Sequence, residues 1–278
     1  MKILFIIYDN GSYIHTFPHG IAYIAAVLKK KGHKVVIYSQ DIHHYPEEHL
    51  TKYLDNNEFD IVGVSVIAGY YQYAKLLKLS KAINKSKRRN KFVYIIGGHG
   101  VSPDPEYFIN KTGADLIVMG EGEATILDVV KRDCPADAKG IAYNDGLLGK
   151  TIINPRRELI QDIDSIPFPA YELFPMEYYR LIRKPHIEKT DFAMHMLSGR
   201  GCTFQCTFCY RMDEGFRPRR IDAIVDEIKL LKTDYGVNVI DFSDELLMTS
   251  EERTRKICEA IIKAKLNIKW QCNGTAWL

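Results

Sequence analysis

Three cysteines, Cys202, Cys206 and Cys209, lie within one eight-residue stretch of the chain. Three thiolates from one short loop can each bind one iron atom of a cubic iron–sulfur cluster. A four-iron cluster usually takes four cysteine ligands, and this loop supplies only three. The spacing therefore predicts a cluster site in which one iron stays open to an external ligand.

Two alternative interpretations of the loop stay open at this point. A structural zinc site needs four ligands, often as two pairs, and no second Cys-x-x-Cys pair occurs in the sequence. His195 could be a fourth ligand, but it lies on the preceding predicted strand. The other interpretation is free cysteines or disulfides, although the remaining cysteines do not form a dense disulfide framework. These are Cys134, Cys258 and Cys272.

The composition is that of an ordinary globular protein. The chain has 278 residues, 46% hydrophobic and 26% charged, which is enough for one large or two ordinary domains. A net charge of +3 is too small to indicate a nucleic-acid partner. No run approaches the ~20 apolar residues of a membrane helix, and the N-terminal apolar run lacks a signal-peptide cleavage site. We expect a cytoplasmic protein without a transmembrane segment.

Strand and helix patterns alternate along the first half of the chain. Lys2–Tyr8 is a continuous apolar run, typical of a strand buried on both faces, and Gly20–Lys31 has apolar residues at helical spacing. The repeated order predicts a parallel sheet covered by helices. The further predicted strands are Lys34–Tyr38, Ile61–Ile67, Phe92–Ile96 and Leu116–Met119, and the helices are His43–Asn56, Tyr71–Ile83, Pro105–Lys111 and Thr125–Lys131.

Glycine-rich turns follow two of these strands, at Gly97–Gly100 and at Gly120–Glu123. Ligands of such folds usually bind at the carboxyl ends of the strands, and glycine permits close approach of the backbone to a ligand. Ordinary strand-to-helix turns would contain the same glycines. No G-x-G-x-x-G or Walker A pattern follows the first strand, so nicotinamide or nucleoside triphosphate binding is not favoured.

A proline-rich segment divides the chain, and the alternation restarts after it. We predict an N-terminal domain over residues 1–145, a connector over 146–190 and a second domain over 191–278. The predicted elements of that second domain are strands Ala193–Leu197, Val237–Phe242 and Ile268–Cys272, with helices Ile221–Thr233 and Ser250–Ala264. Because these few β/α units do not close a barrel, we expect the chain to be a fragment or a partner to complete the sheet.

Two adjacent carboxylates, Asp244 and Glu245, follow a predicted strand of the second domain. Such a pair can bind an ammonium group, or it can be an ordinary charge pair near a helix N-terminus. Ser65 lies at the end of the third predicted strand, and His99 follows the double glycine after the next strand. Each could contact a ligand or cap a turn.

The run C-x-x-x-C-x-x-C, with Phe208 before its last cysteine and Tyr210 after it, resembles the signature of radical S-adenosylmethionine (SAM) enzymes. The resemblance implies a [4Fe–4S] cluster on the three cysteines, with the amino and carboxylate groups of SAM on the open iron. One electron from the cluster would cleave SAM to a 5′-deoxyadenosyl radical. Asp244 and Glu245 match the motif that binds the methionine amino group, and the backbone around Phe208 would lie near the adenine.

The N-terminal part is similar to the cobalamin-binding domain of the B12-dependent branch of that superfamily. The likeness rests on the runs 17–25, 59–65, 97–99, 120–123 and 166–171. It implies an α/β fold, in which a Rossmann-like parallel sheet domain precedes the first half of a β/α radical SAM partial barrel. Ser65 and the turn at Gly97 and Gly98 would hold the nucleotide tail of cobalamin. His99, Gly120 and Glu121 would be further cobalamin contacts.

The chain departs from the pattern of cobalamin-binding domains at the lower ligand of the cobalt. No D-x-H-x-x-G run follows the first strand, so the lower-ligand histidine of methyltransferase-type cobalamin domains is missing. The resemblance therefore implies a base-off, histidine-off cobalt.

The resemblance predicts a cobalamin-dependent radical enzyme that methylates an unactivated carbon and receives electrons from a flavodoxin or ferredoxin. Cyclisation or ring rearrangement without methyl transfer stays open, as does a cobalamin carrier or sensor without catalysis. A methylthiotransferase is disfavoured, because it would carry three further cysteines before Cys202, where this chain has only Cys134. Nothing in the sequence distinguishes a lipid, peptide, antibiotic-precursor or tetrapyrrole substrate.

Overall fold

The computed structural model describes residues 1–11, 17–67, 69–131, 137–182, 184, 187–210 and 215–274. They form two compact units. The first contains Pro18–Ile160 and Pro169–Phe174 together with the N-terminal strand, and the second contains Gln161–Phe168 and Pro175–Leu278. Both units are built from strands and helices in alternation, so the predicted α/β class is confirmed.

The first unit is a seven-stranded sheet in the order β2-β1-β3-β4-β5-β6-β7. The five strands β1 to β5 are parallel, whereas β6 and β7 are antiparallel. The strands are β1 (Lys2–Ile7), β2 (Lys34–Ser39), β3 (Ile61–Ser65), β4 (Val93–Gly97), β5 (Leu116–Val118), β6 (Ile141–Asp145) and β7 (Lys150–Ile153). The β6–β7 hairpin extends this sheet beyond residue 145, where the sequence predicted the end of the first domain.

The helices of the first unit are α1 (His19–Lys30), α2 (Gln40–His43), α3 (Glu47–Asn56), α4 (Tyr70–Asn84), α5 (Pro105–Thr112) and α6 (Gly122–Lys131). The single helix predicted over 43–56 is interrupted. His44 adopts a left-handed conformation with φ 49°, and Pro46 immediately precedes α3. Proline has no backbone N–H to donate and disfavours helical geometry in the residue before it, so the helix starts anew after it.

The core of the first unit follows from the apolar runs of its central strands. β1 and β3 have nearly every side chain buried, as expected for parallel strands covered by helices on both faces. Tyr94 of β4 is fully buried, and its hydroxyl is within 2.8 Å of Ser80 Oγ on α4. Buried polar groups are costly unless hydrogen-bonded, and this contact satisfies the phenol inside the core.

The second unit contains a parallel sheet in the order β12-β11-β8 and a two-stranded antiparallel hairpin, β9–β10. Its strands are β8 (Ala193–Met196), β9 (Gly199–Cys202), β10 (Gly215–Pro218), β11 (Val239–Phe242) and β12 (Lys269–Cys272). Its helices are α7 (Met176–Leu181), α8 (Ile221–Tyr235) and α9 (Glu251–Lys263). The sequence did not predict the hairpin or α7. Among the described residues, no helix has both the length and the apolar character needed to cross a bilayer.

The two faces of the three-stranded sheet differ in chemistry. Successive side chains of a strand point to opposite faces. Met194, Ile240 and Phe242 lie on one face and are almost completely buried. His195 and Asp241 occupy a register row with Gln271 on the other face, where all three are partly exposed. One face of this sheet is therefore core, and the other, which we call the polar face, carries this polar row beside the buried apolar residues Ala193 and Val239.

Candidate functional site

The predicted cobalamin contacts lie at the carboxyl edge of the first sheet. Ser65 ends β3 and is in register with Gly97 of β4. The loops that follow these two strands interlock, because the Val66 N–H donates to the Gly97 carbonyl at 2.9 Å and the Gly100 N–H donates to the Val66 carbonyl at 3.0 Å. Ser65 is half-buried there, and His99 is exposed.

Gly98 is required by the packing of these two loops. Its φ is +100°, and a Cβ at this position would lie 2.4 Å from the Val66 carbonyl oxygen. Any larger residue would force the loops apart. The double glycine therefore gives the edge its shape, and Ser65 and His99 are polar side chains that remain accessible there.

The second glycine turn follows β5, which is next to β4 in the sheet. Gly120 has φ +72°, and a Cβ there would meet no atom within 4 Å, so open space lies beside it. The Glu121 carboxylate accepts a hydrogen bond from the Ile160 N–H at 2.9 Å. Glu121 thus fastens the segment after β7 to the sheet edge, a structural role that its sequence position did not reveal.

An ion-pair network that no sequence pattern had indicated lies at the end of β1. Asp9 Oδ1 lies 2.8 Å from His44 Nδ1, and Asp9 Oδ2 lies 3.3 Å from Lys75 Nζ. Burial raises the pKa of Asp9, but hydrogen bonds from the Gly11 N–H, His44 and Lys75 outweigh it and hold the pKa below its usual value. His44 and Lys75 lie 35 and 66 residues from Asp9 along the chain, so no local motif could have indicated them.

Asp41 completes a group of three possible ligands with Asp9 and His44. One ligand atom from each of the three lies within 4.8 Å of the others. The Asp41 carboxylate accepts a hydrogen bond from the Asn10 N–H at 2.6 Å. Lys75 already neutralises Asp9, so the group acts as an internal network that ties β1 to α2 and α4.

The cysteine loop of the second unit begins at the end of β9. Cys202 is in register with Gly215 of β10 and is partly exposed, whereas Cys206 and Cys209 are exposed. All three are free thiols, and the Cys209 N–H donates to the Cys206 carbonyl at 3.2 Å. Three accessible thiols on one loop are a donor set that fits a [4Fe–4S] cluster.

Glycines shape the strand that leads into this loop. Gly201 has φ +83°, and a Cβ there would lie 2.3 Å from the Gly215 carbonyl oxygen. A Cβ on Gly199 would lie 2.5 Å from the ring of Phe216. The β9–β10 hairpin can therefore close only with glycine at these positions, and this closure sets where Cys202 begins the loop.

The three residues predicted to contact SAM have different surroundings. Phe208 is 98% exposed, and Glu245 is also exposed. Within the described part of the chain, Glu245 has no hydrogen-bond or ion-pair partner. Asp244, in contrast, is 4% exposed, and its two oxygens accept hydrogen bonds from the Ser198 N–H at 2.9 and 3.0 Å. The structure thus separates a pair that the sequence treated as equivalent, because Asp244 is buried and bonded through both oxygens whereas Glu245 is exposed.

A second polar cluster lies on the polar face of the three-stranded sheet. The Lys184 ammonium forms an ion pair with Asp241 and lies 3.1 Å from His195 Nδ1. His195 Nδ1 also lies 2.5 Å from Ser243 Oγ. Burial lowers the pKa of Lys184, and its contact with Asp241 opposes that shift. His195, considered above as a zinc ligand, is instead part of this cluster.

Comparison with known proteins identifies the two units. The family model of the B12 binding domain matches residues 11–130, and that of the Radical SAM superfamily matches residues 196–277. The chain is a B12-binding radical SAM protein. Its cofactors are those of the two families: cobalamin for the first unit, and SAM with a [4Fe–4S] cluster for the second.

Two curated relatives match nearly the whole B12-binding radical SAM chain. An uncharacterized methyltransferase of Pyrococcus horikoshii is 29% identical over 99% of this chain and 60% of its own length. The anaerobic magnesium-protoporphyrin IX monomethyl ester cyclase of Rubrivivax gelatinosus is 28% identical over 98% of this chain and 50% of its own. The chain thus spans about half the length of these relatives.

This chain shares its fold with a solved structure. The cobalamin-dependent SAM radical enzyme OxsB, with aqua-cobalamin and SAM bound, superposes with a TM-score of 0.79. It is 20% identical, and the match covers 97% of this chain and 38% of OxsB. The predicted domain order, a cobalamin-binding sheet domain followed by β/α units of a radical SAM domain, is confirmed.

Proposed function

We propose that this protein is a cobalamin-dependent radical SAM enzyme that transfers a methyl group to an unactivated carbon. The observation that carries the proposal is the exposed loop of three free thiols in a chain that also contains a B12 binding domain. Similarity to a curated methyltransferase over 99% of the chain supports methyl transfer in particular.

The residues of the second unit would bind the cluster and SAM. Cys202, Cys206 and Cys209 would hold the [4Fe–4S] cluster as thiolates and leave one iron open. The exposed carboxylate of Glu245 suits the methionine amino group, and the backbone at Phe208 would lie near the adenine. When bound, the cluster supplies one electron to cleave SAM, and cobalamin supplies the methyl group. The protein contributes positioning and the exclusion of competing reactions.

The residues of the first unit would hold cobalamin at the carboxyl edge of the sheet. Ser65 and His99 offer accessible polar side chains there, and the interlocked loops at Gly97 and Gly98 offer a backbone surface. Gly120 leaves open space on the neighbouring strand. Glu121 would shape this edge through its bond to Ile160. Binding at such an edge is the general rule for open α/β sheets.

Ring formation without methyl transfer is the second candidate. The similarity to an anaerobic cyclase, over 98% of this chain, favours it specifically. Both reactions would use the same cysteine loop and the same sheet edge. The two candidates differ in the fate of the methyl group, and product mass distinguishes them once a substrate is found. An electron donor such as a flavodoxin or ferredoxin would serve either reaction.

The test is reductive cleavage of SAM by the 278-residue chain. After anaerobic reconstitution with iron and sulfide, cobalamin binding is followed by absorbance. SAM and a chemical reductant are then added, and 5′-deoxyadenosine and methionine are measured. We expect both products from the reconstituted wild type and neither from Cys206→Ala. A chain that carries the cluster and binds cobalamin but never forms 5′-deoxyadenosine would instead be a carrier or sensor.

A further inference from the structure

The Asp244 carboxylate is engaged inside the second unit. Besides the two bonds from the Ser198 N–H, it accepts one from Ser198 Oγ at 2.9 Å and one from the Gly199 N–H. Three donors from two consecutive residues thus converge on one carboxylate. Hydrogen bonds to a charged acceptor are among the stronger ones in proteins.

Ser198 is held from its other side as well. Its carbonyl accepts from Arg253 Nη2 at 2.8 Å and from the Arg219 N–H at 2.9 Å. The side chain of Ser198 is completely buried. Every polar group of this residue therefore has a partner, and those partners come from the segment after β11, from α9 and from the residue after β10.

Ser198 lies four positions before Cys202, and the chain between them has little freedom. Gly199 is covered by the ring of Phe216, and Gly201 lies against the Gly215 carbonyl, as described above. The same Arg253 guanidinium stacks 5.7 Å from the Phe216 ring centroid. A constraint on Ser198 is thus transmitted through a short, closely packed strand to the first thiol of the loop.

We propose that Asp244 is a positioning residue that fixes the cysteine loop through Ser198, and that Glu245 alone directs a carboxylate toward SAM. The two adjacent carboxylates would then have different roles. Asp244 would hold the loop that binds the cluster, and Glu245 would face SAM, the ligand of the open iron. The inference rests on the proposed function, because it concerns the same site. Burial raises the pKa of Asp244, and the bonds from Ser198 and Gly199 oppose that rise.

The first measurement uses the metal-free chain. Amide hydrogen exchange at Ser198 and Gly199 is compared in wild type, Asp244→Asn and Glu245→Gln. An asparagine oxygen cannot replace both carboxylate oxygens, and its NH2 group would face a donor. We expect Asp244→Asn to speed exchange at both amides about tenfold, equivalent to about 1.4 kcal/mol. Glu245→Gln is the matched control and leaves exchange unchanged.

The second measurement uses the reconstituted protein. The rate at which a chelator removes iron, and the change that SAM causes in the electron paramagnetic resonance spectrum of the reduced cluster, are recorded for the same variants. We expect Asp244→Asn to lose iron about tenfold faster at a temperature at which both proteins remain folded. Glu245→Gln keeps wild-type iron retention and loses the SAM-induced spectral change.

A second pair of variants tests the same proposal if Asp244→Asn does not fold. Arg253→Gln removes the bond to the Ser198 carbonyl, whereas Arg255→Gln alters an exposed arginine of the same helix that pairs with Glu259. Only Arg253→Gln should accelerate iron loss, by a smaller factor than Asp244→Asn.

Two results would overturn the proposal. One is wild-type exchange at Ser198 in Asp244→Asn. The other is an Asp244→Asn variant that retains iron normally but no longer responds to SAM, because Asp244 would then be a SAM ligand. A wild type that takes up no cluster would count against the proposed function instead, and hydrogen exchange in the metal-free chain would still decide the role of Asp244.

Discussion

The two sheets of this protein end in sites of different construction. At the edge of the first sheet, backbone loops at Val66 and Gly98 pack against each other and leave few accessible side chains. At the edge of the second, one loop exposes thiols and one exposed carboxylate stands beside a buried one. The first site depends on the shape of the backbone, and the second depends on the chemistry of particular side chains.

This contrast determines how each site fails. A backbone-shaped edge tolerates changes in polar side chains but not an added Cβ where two loops touch. A ligand loop is weakened by a change of shape and loses its function when a ligand atom is removed. The four predictions that follow test the contrast.

The largest effect is expected at the cysteine loop. Cys202→Ala, Cys206→Ala or Cys209→Ala removes one of three thiolate ligands, so iron and sulfide content after reconstitution should fall to near zero. The matched controls are Cys258→Ala and Cys272→Ala, which change partly buried thiols outside the loop and should leave the metal content unchanged. Equal metal content in the loop variants and the controls would remove the basis of the proposed cluster site.

The next effect is expected at the first sheet edge. Gly98→Ala places a Cβ against the Val66 carbonyl at positive φ, and should lower the free energy of unfolding by about 3 kcal/mol. Gly20→Ala is the control, because no atom lies within 4 Å of its Cβ; it should change stability by less than about 0.5 kcal/mol. Urea denaturation measures both. If Gly98→Ala is as stable as Gly20→Ala, the loops do not depend on backbone contact.

A smaller effect is expected on the polar face of the second sheet. Lys184→Met leaves the Asp241 carboxylate without its ammonium partner and should destabilise the protein by about 2 kcal/mol. Adding Asp241→Asn to this variant should restore most of the loss, and a double-mutant cycle measures the coupling. The exposed pair of Lys256 and Glu252 on α9 is the control, since Lys256→Met should change stability little. Additive effects of the two changes would show that Lys184 and Asp241 do not interact.

The smallest effect is expected at the end of β1. Asp9 has a lowered pKa, so its ion pairs stabilise the folded protein above the pKa of an unfolded aspartate, about 3.9. That contribution is lost as the pH falls through the lower pKa of the folded state. Asp9→Asn should therefore cost about 1 kcal/mol at pH 7 and progressively less below about pH 4. Equilibrium unfolding of the wild type and of Asp9→Asn across this pH range measures the difference in their free energies of unfolding. A difference that grows as the pH falls would contradict the prediction.

Much of the fold could be predicted from the sequence. The apolar runs of β1, β3 and β4 and the helices between them follow from periodicity, which is a local property of the chain. The strands of the hairpin β6–β7 were not predicted, and β7 fell within the predicted connector. The two strands are short and partly exposed, and what makes them part of the sheet is the antiparallel pairing of β6 with β5, more than 20 residues away.

The candidate site divides in the same way. Cys202, Cys206 and Cys209 were recognised because a ligand loop carries its donors at fixed, local spacing. The sequence could not distinguish the surroundings of Asp244 and Glu245, because these depend on hydrogen-bond donors from a distant part of the chain.

The sequence by itself thus determined the positions of the central strands and the set of candidate thiol ligands, both of which are encoded over a few residues. Only the tertiary structure decided which polar groups are satisfied internally. Asp244 meets Ser198 across 46 residues, and Asp9 meets Lys75 across 66. A hydrogen bond requires its donor and acceptor within about 3 Å, and for segments this far apart in the chain only folding brings them to that distance.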